Sequence, residues 1–134
     1  TSAEAADYDF IYMSESTRSD TLEAKFVATE KPILSCEMWI ADDMGFTGTE
    51  KGVDYGNIEY VYSAINIVEP DHPLAAGLSG KVEVYSRDGI MGFGKPGGDV
   101  TVVATAVDDP EVAFIYVYEI DFQHYISNKY KTAR

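Results

Sequence analysis

Two short apolar segments in the first third of the chain constrain its fold most. The first is Asp7–Met13 and the second is Ile33–Ile40, and each has the composition of a buried strand. The polar stretch between them offers Ser19 or Asp20 as a helix N-cap and ends at Pro32. A helix between two buried strands makes a βαβ unit, so the pattern predicts parallel strands lying side by side and covered by other layers.

The remainder of the chain is mostly β in character. Within the crossover, Leu22, Phe26 and Val27 give a short helix one apolar stripe. The later segments predict two strands, one helical turn, a glycine-dense loop and a terminal β-hairpin. In chain order these are Ile58–Val68, Leu74–Leu78, Val82–Ser86, the loop Gly89–Gly98, and the hairpin strands Val100–Val107 and Val112–Ile120.

Composition limits the classes of function. The 134 residues include 10 basic and 23 acidic side chains, which gives a net charge of −13. Nucleic-acid binding and binding to anionic membranes both need clustered Lys and Arg, so neither is expected. Hydrophobic residues make up 46% of the chain, enough to bury the core of one domain over residues 1–134. A single cysteine excludes a framework of internal disulfides.

Four segments resemble a known family. They are Phe-Ile-Tyr-Met-Ser-Glu-Ser (10–16), Glu-Met-Trp-Ile-Ala-Asp-Asp-Met-Gly-Phe-Thr-Gly-Thr (37–49), Asp-His-Pro-Leu-Ala-Ala-Gly-Leu-Ser-Gly (71–80) and Val-Val-Ala-Thr-Ala (102–106). Together they resemble flavodoxin-like domains of the class I glutamine amidotransferase-like type, found in large secreted or surface proteins of environmental bacteria. The resemblance covers residues 7–122 and leaves 123–134 as a polar tail. It implies an α/β fold, with a flavodoxin-like parallel core extended by antiparallel C-terminal strands.

The resemblance also bears on assembly and location. Members of the family usually begin with a further strand and helix, and only Thr1–Ala6 precedes the matched region here. Loss of that first unit would expose a strand edge, and an exposed edge invites pairing with another chain. We therefore expect a homo-oligomer formed through this edge. The family context favours an extracellular or periplasmic location.

The chemistry of glutamine amidotransferases is not expected. Enzymes of that fold carry a nucleophilic cysteine on a sharp turn flanked by glycines. Cys36 instead lies within the second predicted strand, between Ser35 and Glu37. A thiol in the interior of a strand is better interpreted as a small buried hydrophobe than as a nucleophile.

Polar residues follow both predicted strands, where doubly wound folds bind ligands. Converging hydroxyls and carboxylates could form a site for a sugar, a cation or a peptide, and their donors and acceptors suit sugar hydroxyls. The alternative is that these side chains satisfy backbone groups at strand ends and turns, and that the histidine braces its own turn. The candidates are Ser14, Glu15, Ser16, Asp42, Asp43 and His72.

Aromatic, acidic and glycine-rich groups leave further alternatives. Trp39 and the tyrosines of the predicted strands could stack on sugars or simply cover the sheet. Calcium could bind Asp42, Asp43, Asp54 and Glu59, although the EF-hand spacing is absent. The glycine loop lacks both the ending of a phosphate-binding loop and a following helix, so it is interpreted as an inter-strand connection.

The sequence thus predicts a non-catalytic accessory or interaction domain, self-associating or carbohydrate-binding. The alternative is a hydrolase or trehalose-utilisation-like enzyme, with a site formed by Ser14, Glu15, Glu37 and His72 at the strand ends. Glu37 is included among the ligand-binding candidates in either case. No cofactor and no metal are expected, and no constellation of residues identifies a reaction.

Overall fold

The computed structural model describes residues 1–118, which form mainly strands. Two α-helices, α1 (Ser2–Ala5) and α2 (Ser19–Leu22), and two 3-10 helices, Met38–Ile40 and Pro73–Ala75, are single turns. The strands are β1 (Ile11–Met13), β2 (Ile33–Ser35), β3 (Tyr55–Tyr62), β4 (Ala64–Ile67), β5 (Gly80–Glu83), β6 (Gly89–Gly94), β7 (Thr101–Thr105) and β8 (Ala113–Val117).

Strands β1 and β2 form a two-stranded parallel sheet, which confirms the predicted orientation of the first two apolar segments. Tyr12 lies opposite Leu34 in the register. One face of the pair, which includes Met13, packs on a cluster formed with Ile40 and Met44. The apolar residues of the crossover, including Leu22 and Phe26, pack against the same cluster. The crossover therefore covers the inner face of the sheet, although Phe26 lies beyond α2 and not on the predicted helical stripe.

The other six strands form one antiparallel sheet in the order β3-β6-β8-β7-β4-β5. Strands β7 and β8 pair antiparallel, which confirms the predicted terminal hairpin. Val103 and Ala104 of β7 are fully buried and anchor the larger core cluster with Ile65 and Ile67 of β4. Burial does not alternate along β7, because the consecutive residues Val103, Ala104 and Thr105 are all buried, so both faces of this central strand are covered there.

The predicted fold class is wrong. A flavodoxin-like parallel α/β core requires several βαβ units, and residues 1–118 contain one parallel pair and a larger antiparallel sheet. The described helices are each a single turn, too short to cover the faces of a parallel sheet. Beyond β2 the connections are short, and short connections join antiparallel strands. The α/β and flavodoxin-like descriptions that followed from the resemblance are corrected with it.

Several local expectations are also wrong. Helix α2 stops after one turn because Glu23 adopts a positive φ of 44°. The second apolar segment leaves the strand at Ser35 and turns into a 3-10 helix. Cys36 is consequently exposed rather than buried in a strand. The loop predicted at Gly89–Gly98 contains β6, because Met91 and Phe93 bury alternate side chains despite the glycines around them.

The first 3-10 helix joins the two sheets. It contacts β3 and β6 of the larger sheet and α2 on the other side. At Gly92 of β6, an added Cβ atom would lie 2.5 Å from the terminal methyl group of Met38, so the absence of a side chain permits this close approach. The carboxyl ends of β1 and β2 are thereby held beside the start of β3.

Candidate functional site

The carboxyl ends of β1 and β2 meet, as parallel strands require. The Cys36 amide donates a hydrogen bond of 2.8 Å to the carbonyl oxygen of Met13, just before Ser14. The Ser14 and Ser16 hydroxyls lie 2.9 Å apart, and the Ser16 amide donates to Ser14 Oγ at 3.3 Å. Glu15 is exposed between them. The two serines thus form a compact local turn beside the end of β2.

Glu37 is buried, with 6% of its surface exposed. Its Oε1 atom accepts a hydrogen bond of 2.9 Å from the Trp39 amide and so caps the first 3-10 helix. The Ser35 hydroxyl contacts the backbone of Glu37 twice. It accepts a hydrogen bond of 3.3 Å from the Glu37 amide and donates one of 3.2 Å to the Glu37 carbonyl. These contacts give Glu37 a structural function at the strand end.

Asp42 and Asp43 follow the first 3-10 helix and approach β3. Burial, a hydrogen bond to Asp42 and the charges of both carboxylates raise the pKa of Tyr55 to about 12. The Tyr55 ring meets Trp39 edge to face, with centroids 6.1 Å apart. The structure therefore joins the Asp pair to Tyr55, a partner that nothing in the local sequence pattern indicated.

Trp39 contacts a cation as well as Tyr55. The Nζ atom of Lys51 lies 4.3 Å from the centroid of the indole ring, within the range of a cation–π interaction. One face of the indole is therefore occupied by a side chain of the same protein. The expectation of a sugar-stacking platform on Trp39 and the strand tyrosines stays a prediction.

His72 lies in the connection between β4 and β5, apart from the β1–β2 ends. Its Nδ1 atom accepts a hydrogen bond of 3.1 Å from the Leu74 amide and caps the second 3-10 helix, which contacts β7. Within residues 1–118, no hydrogen bond or ion pair joins His72 to Ser14, Glu15 or Glu37. The bracing role considered from the sequence matches this contact, and a ligand-binding role for the seven candidates stays a prediction.

A metal site was also considered from the sequence. In the described part of the chain, no three His, Cys, Asp or Glu side chains are grouped so that they could hold an ion. Asp54 instead stabilises its own loop, since its Oδ2 atom accepts from the Glu50 amide at 2.9 Å.

A shallow cleft on the larger sheet has a volume of about 400 Å³. Its charged lining consists of Asp54, Lys95 and Glu111, flanked by Pro96 and Pro110. Lys95 Nζ lies 3.8 Å from a carboxylate oxygen of Glu111, so part of this charge is neutralised internally. Sequence analysis missed the cleft, because its lining residues come from distant segments.

The exposed face of the β1–β2 sheet is the largest departure from expectation. We call the surface formed by Phe10, Tyr12 and Leu34 the outer face; these side chains are 59%, 56% and 52% exposed, respectively. A parallel sheet is normally covered on both faces, and here only the inner face is covered by described residues. The sequence held the signal for this face, since Tyr12 and Met13 are neighbours that must point to opposite sides.

Comparisons of the chain with protein-family models, with curated proteins and with solved structures found no match. Among the described residues, no helix has the length and apolar character needed to cross a membrane.

Proposed function

We propose that this protein is a non-catalytic binding module, and that it engages its partner through the outer face. The observation that carries the proposal is the exposure of Phe10, Tyr12 and Leu34 on a sheet whose opposite face packs against the Met13 cluster. Contiguous apolar side chains on a protein surface mark interaction sites, whereas scattered ones do not.

The roles of the polar candidates support a binding function over an enzymatic one. Glu37 and His72 each use a side-chain acceptor to cap a 3-10 helix. Ser14 and Ser16 are hydrogen-bonded to each other. An active site of this type needs a nucleophile within hydrogen-bonding reach of a base. Here the two serines contact each other, and Glu37 and His72 contact backbone amides.

Selection from a library of displayed peptides tests the proposal. The wild-type protein is the target, and Phe10→Ser/Leu34→Ser is the counter-target, which removes two apolar side chains from the outer face. Leu78→Ser is the matched control, since Leu78 is also about half exposed but lies beyond the second 3-10 helix.

We expect enriched ligands that bind the wild type and Leu78→Ser equally and the double variant at least about tenfold more weakly, a difference of about 1.4 kcal/mol. Ligands must be recovered unchanged after incubation. Equal binding to all three proteins, or chemical conversion of the ligand, would contradict the proposal.

A further inference from the structure

The free edge of β1 has backbone groups available for pairing. The Ile11 amide donates to the Pro32 carbonyl at 2.9 Å, and the Met13 carbonyl accepts from Cys36. Successive residues of a strand direct their amide and carbonyl groups to alternate sides, so those of Tyr12 point away from β2. Residues 1–118 place no strand on that side of β1.

The other sheet edges are protected against pairing. Strand β3 is interrupted by a bulge between Glu59 and Tyr62, where Tyr60 has a φ of 57°. Strand β5 carries Lys81 and Glu83, whose charged atoms lie 3.0 Å apart. Bulges and charges of this kind block the addition of further strands.

Strand β1 has neither form of protection. Its three residues, Ile11–Met13, are uncharged and include no proline. On the far side of the pair, β2 is preceded by Lys31 and Pro32, both of which discourage strand addition. Of the edges described, that of β1 is therefore the one best suited to receive another strand.

The charges around β1 indicate the chemistry of a partner. Asp7 and Asp9 precede the strand and Glu15 follows it, and all three are exposed. In the described part of the chain none of them forms an ion pair. The protein as a whole carries −13. A strand ending in Lys or Arg would find opposite charges at both ends of β1.

The same charges disfavour a second copy of this chain at the edge. Antiparallel self-pairing centred on Tyr12 would place Asp9 of each copy opposite Glu15 of the other. Like charges directly opposite in a sheet are destabilising. The homo-oligomer expected from the sequence stays a prediction, and the experiment below measures it.

We propose that β1 accepts an extended segment of a different polypeptide as an added strand. That segment has apolar side chains at alternate positions, which extend the outer face, and Lys or Arg at its ends. Backbone hydrogen bonds to Tyr12 supply affinity and the flanking charges supply selectivity. This inference rests on the proposed function, because the added strand lies beside Phe10 and Tyr12.

Synthetic peptides of alternating Val and Thr test the inference on the unaltered protein. One peptide is flanked by Lys and one by Glu. Two further Lys-flanked peptides are N-methylated at every second amide, so that each has the amides of one strand edge blocked. Dissociation constants are measured by fluorescence anisotropy at low and high salt, and oligomeric state by light scattering.

We expect the Lys-flanked peptide to bind at least about tenfold more tightly than the Glu-flanked peptide, with the difference reduced at high salt. One N-methylated peptide should lose binding and the other should retain it. Asp7→Lys/Asp9→Lys should reduce the preference for flanking Lys, because Glu15 is then the only acidic residue of the three beside β1.

If the two N-methylated peptides bound with equal affinity, strand addition would be overturned. If binding were still lost in Phe10→Ser/Leu34→Ser, the proposed function would stand and only the strand mode would fail. If the protein were a dimer that dissociated as the peptide bound, the edge would belong to a second copy of the chain, and the inference would be overturned. The inference would also be overturned if the protein bound the ligands selected from the peptide library but did not bind the Lys-flanked peptide.

Discussion

The hydroxyl of Tyr118 shares its single proton between the carbonyl oxygens of Phe46, at 2.5 Å, and of Gly97, at 3.1 Å. The rings of Tyr118 and Phe46 also stack, with centroids 5.9 Å apart. Phe46 packs on the cluster beneath β1–β2, and Tyr118 directly follows β8. This pair of residues therefore ties the two sheets together.

Substitution of Tyr118→Phe should destabilise the protein. The change keeps the stacked ring but deprives two part-buried carbonyl groups of their donor, at a cost of about 1–3 kcal/mol. The free energy of unfolding in urea measures the effect. Tyr85→Phe is the control, because its exposed hydrogen bond to Ile90 is long, at 3.4 Å. A loss no larger than that of the control would show that the Tyr118 hydroxyl does not hold the sheets together.

Neighbouring residues on opposite faces of β1 should respond very differently to substitution. Met13 is buried in the inner cluster, so Met13→Ala should cost about 2–5 kcal/mol through lost packing and a residual cavity. Tyr12 is on the outer face, so Tyr12→Ser should change stability by no more than about 0.5 kcal/mol. Similar losses in the two variants, measured by urea unfolding, would mean that the outer face is covered.

Stability should fall in alkaline solution. A hydrogen bond to Asp108 and burial raise the pKa of Tyr62 to about 12, and burial raises that of Tyr116 to about 12. Unfolded tyrosine has a pKa of about 10, so above that value the unfolded state loses protons that the native state retains. The contribution of these groups is complete below about pH 10 and is lost as the pH rises towards 12.

Urea unfolding at about pH 9 and about pH 11 measures this fall on either side of the ordinary tyrosine pKa. Tyr62→Phe should show a smaller decrease between the two conditions than the wild type. The prediction would be wrong if stability were the same at both pH values, or if the variant lost as much as the wild type.

Gly48→Ala should weaken the loop before β3. A Cβ atom at this position would lie 2.1 Å from Oδ2 of Asp54, the atom that accepts the Glu50 amide. Displacement of the carboxylate would break that exposed hydrogen bond, at a cost of about 0.5–1.5 kcal/mol. The melting temperature measures the effect. Asp54→Ala is the comparison, since it removes the same acceptor, and a loss at Gly48→Ala much smaller than that of Asp54→Ala would contradict the explanation.

Local patterns predicted some pairings correctly and failed on the overall architecture. The parallel β1–β2 pair followed from two apolar segments joined by a crossover, and the β7–β8 hairpin followed from two β-rich segments joined by Asp-Asp-Pro-Glu. The fold class depended on whether β1–β2 or the later strands formed the central sheet, and that is decided by long-range packing. Strand β6 was missed because its glycines mask the burial of Met91 and Phe93.

The candidate site was predictable to a similar extent. The meeting of Ser14 with the end of β2 followed from parallel pairing. The contact of Asp42 with Tyr55 did not, because it joins the first 3-10 helix to a strand of the other sheet. The separate position of His72 likewise depends on the antiparallel topology. The sequence placed Tyr12 and Met13 on opposite faces, but that no described layer covers Tyr12 and Leu34 depends on the packing of distant segments.

The bulge at Tyr60 and the paired charges of β5 set a limit on aggregation. Because both edges of the six-stranded sheet carry such features, its lateral growth by edge-to-edge stacking of molecules into fibrils is disfavoured.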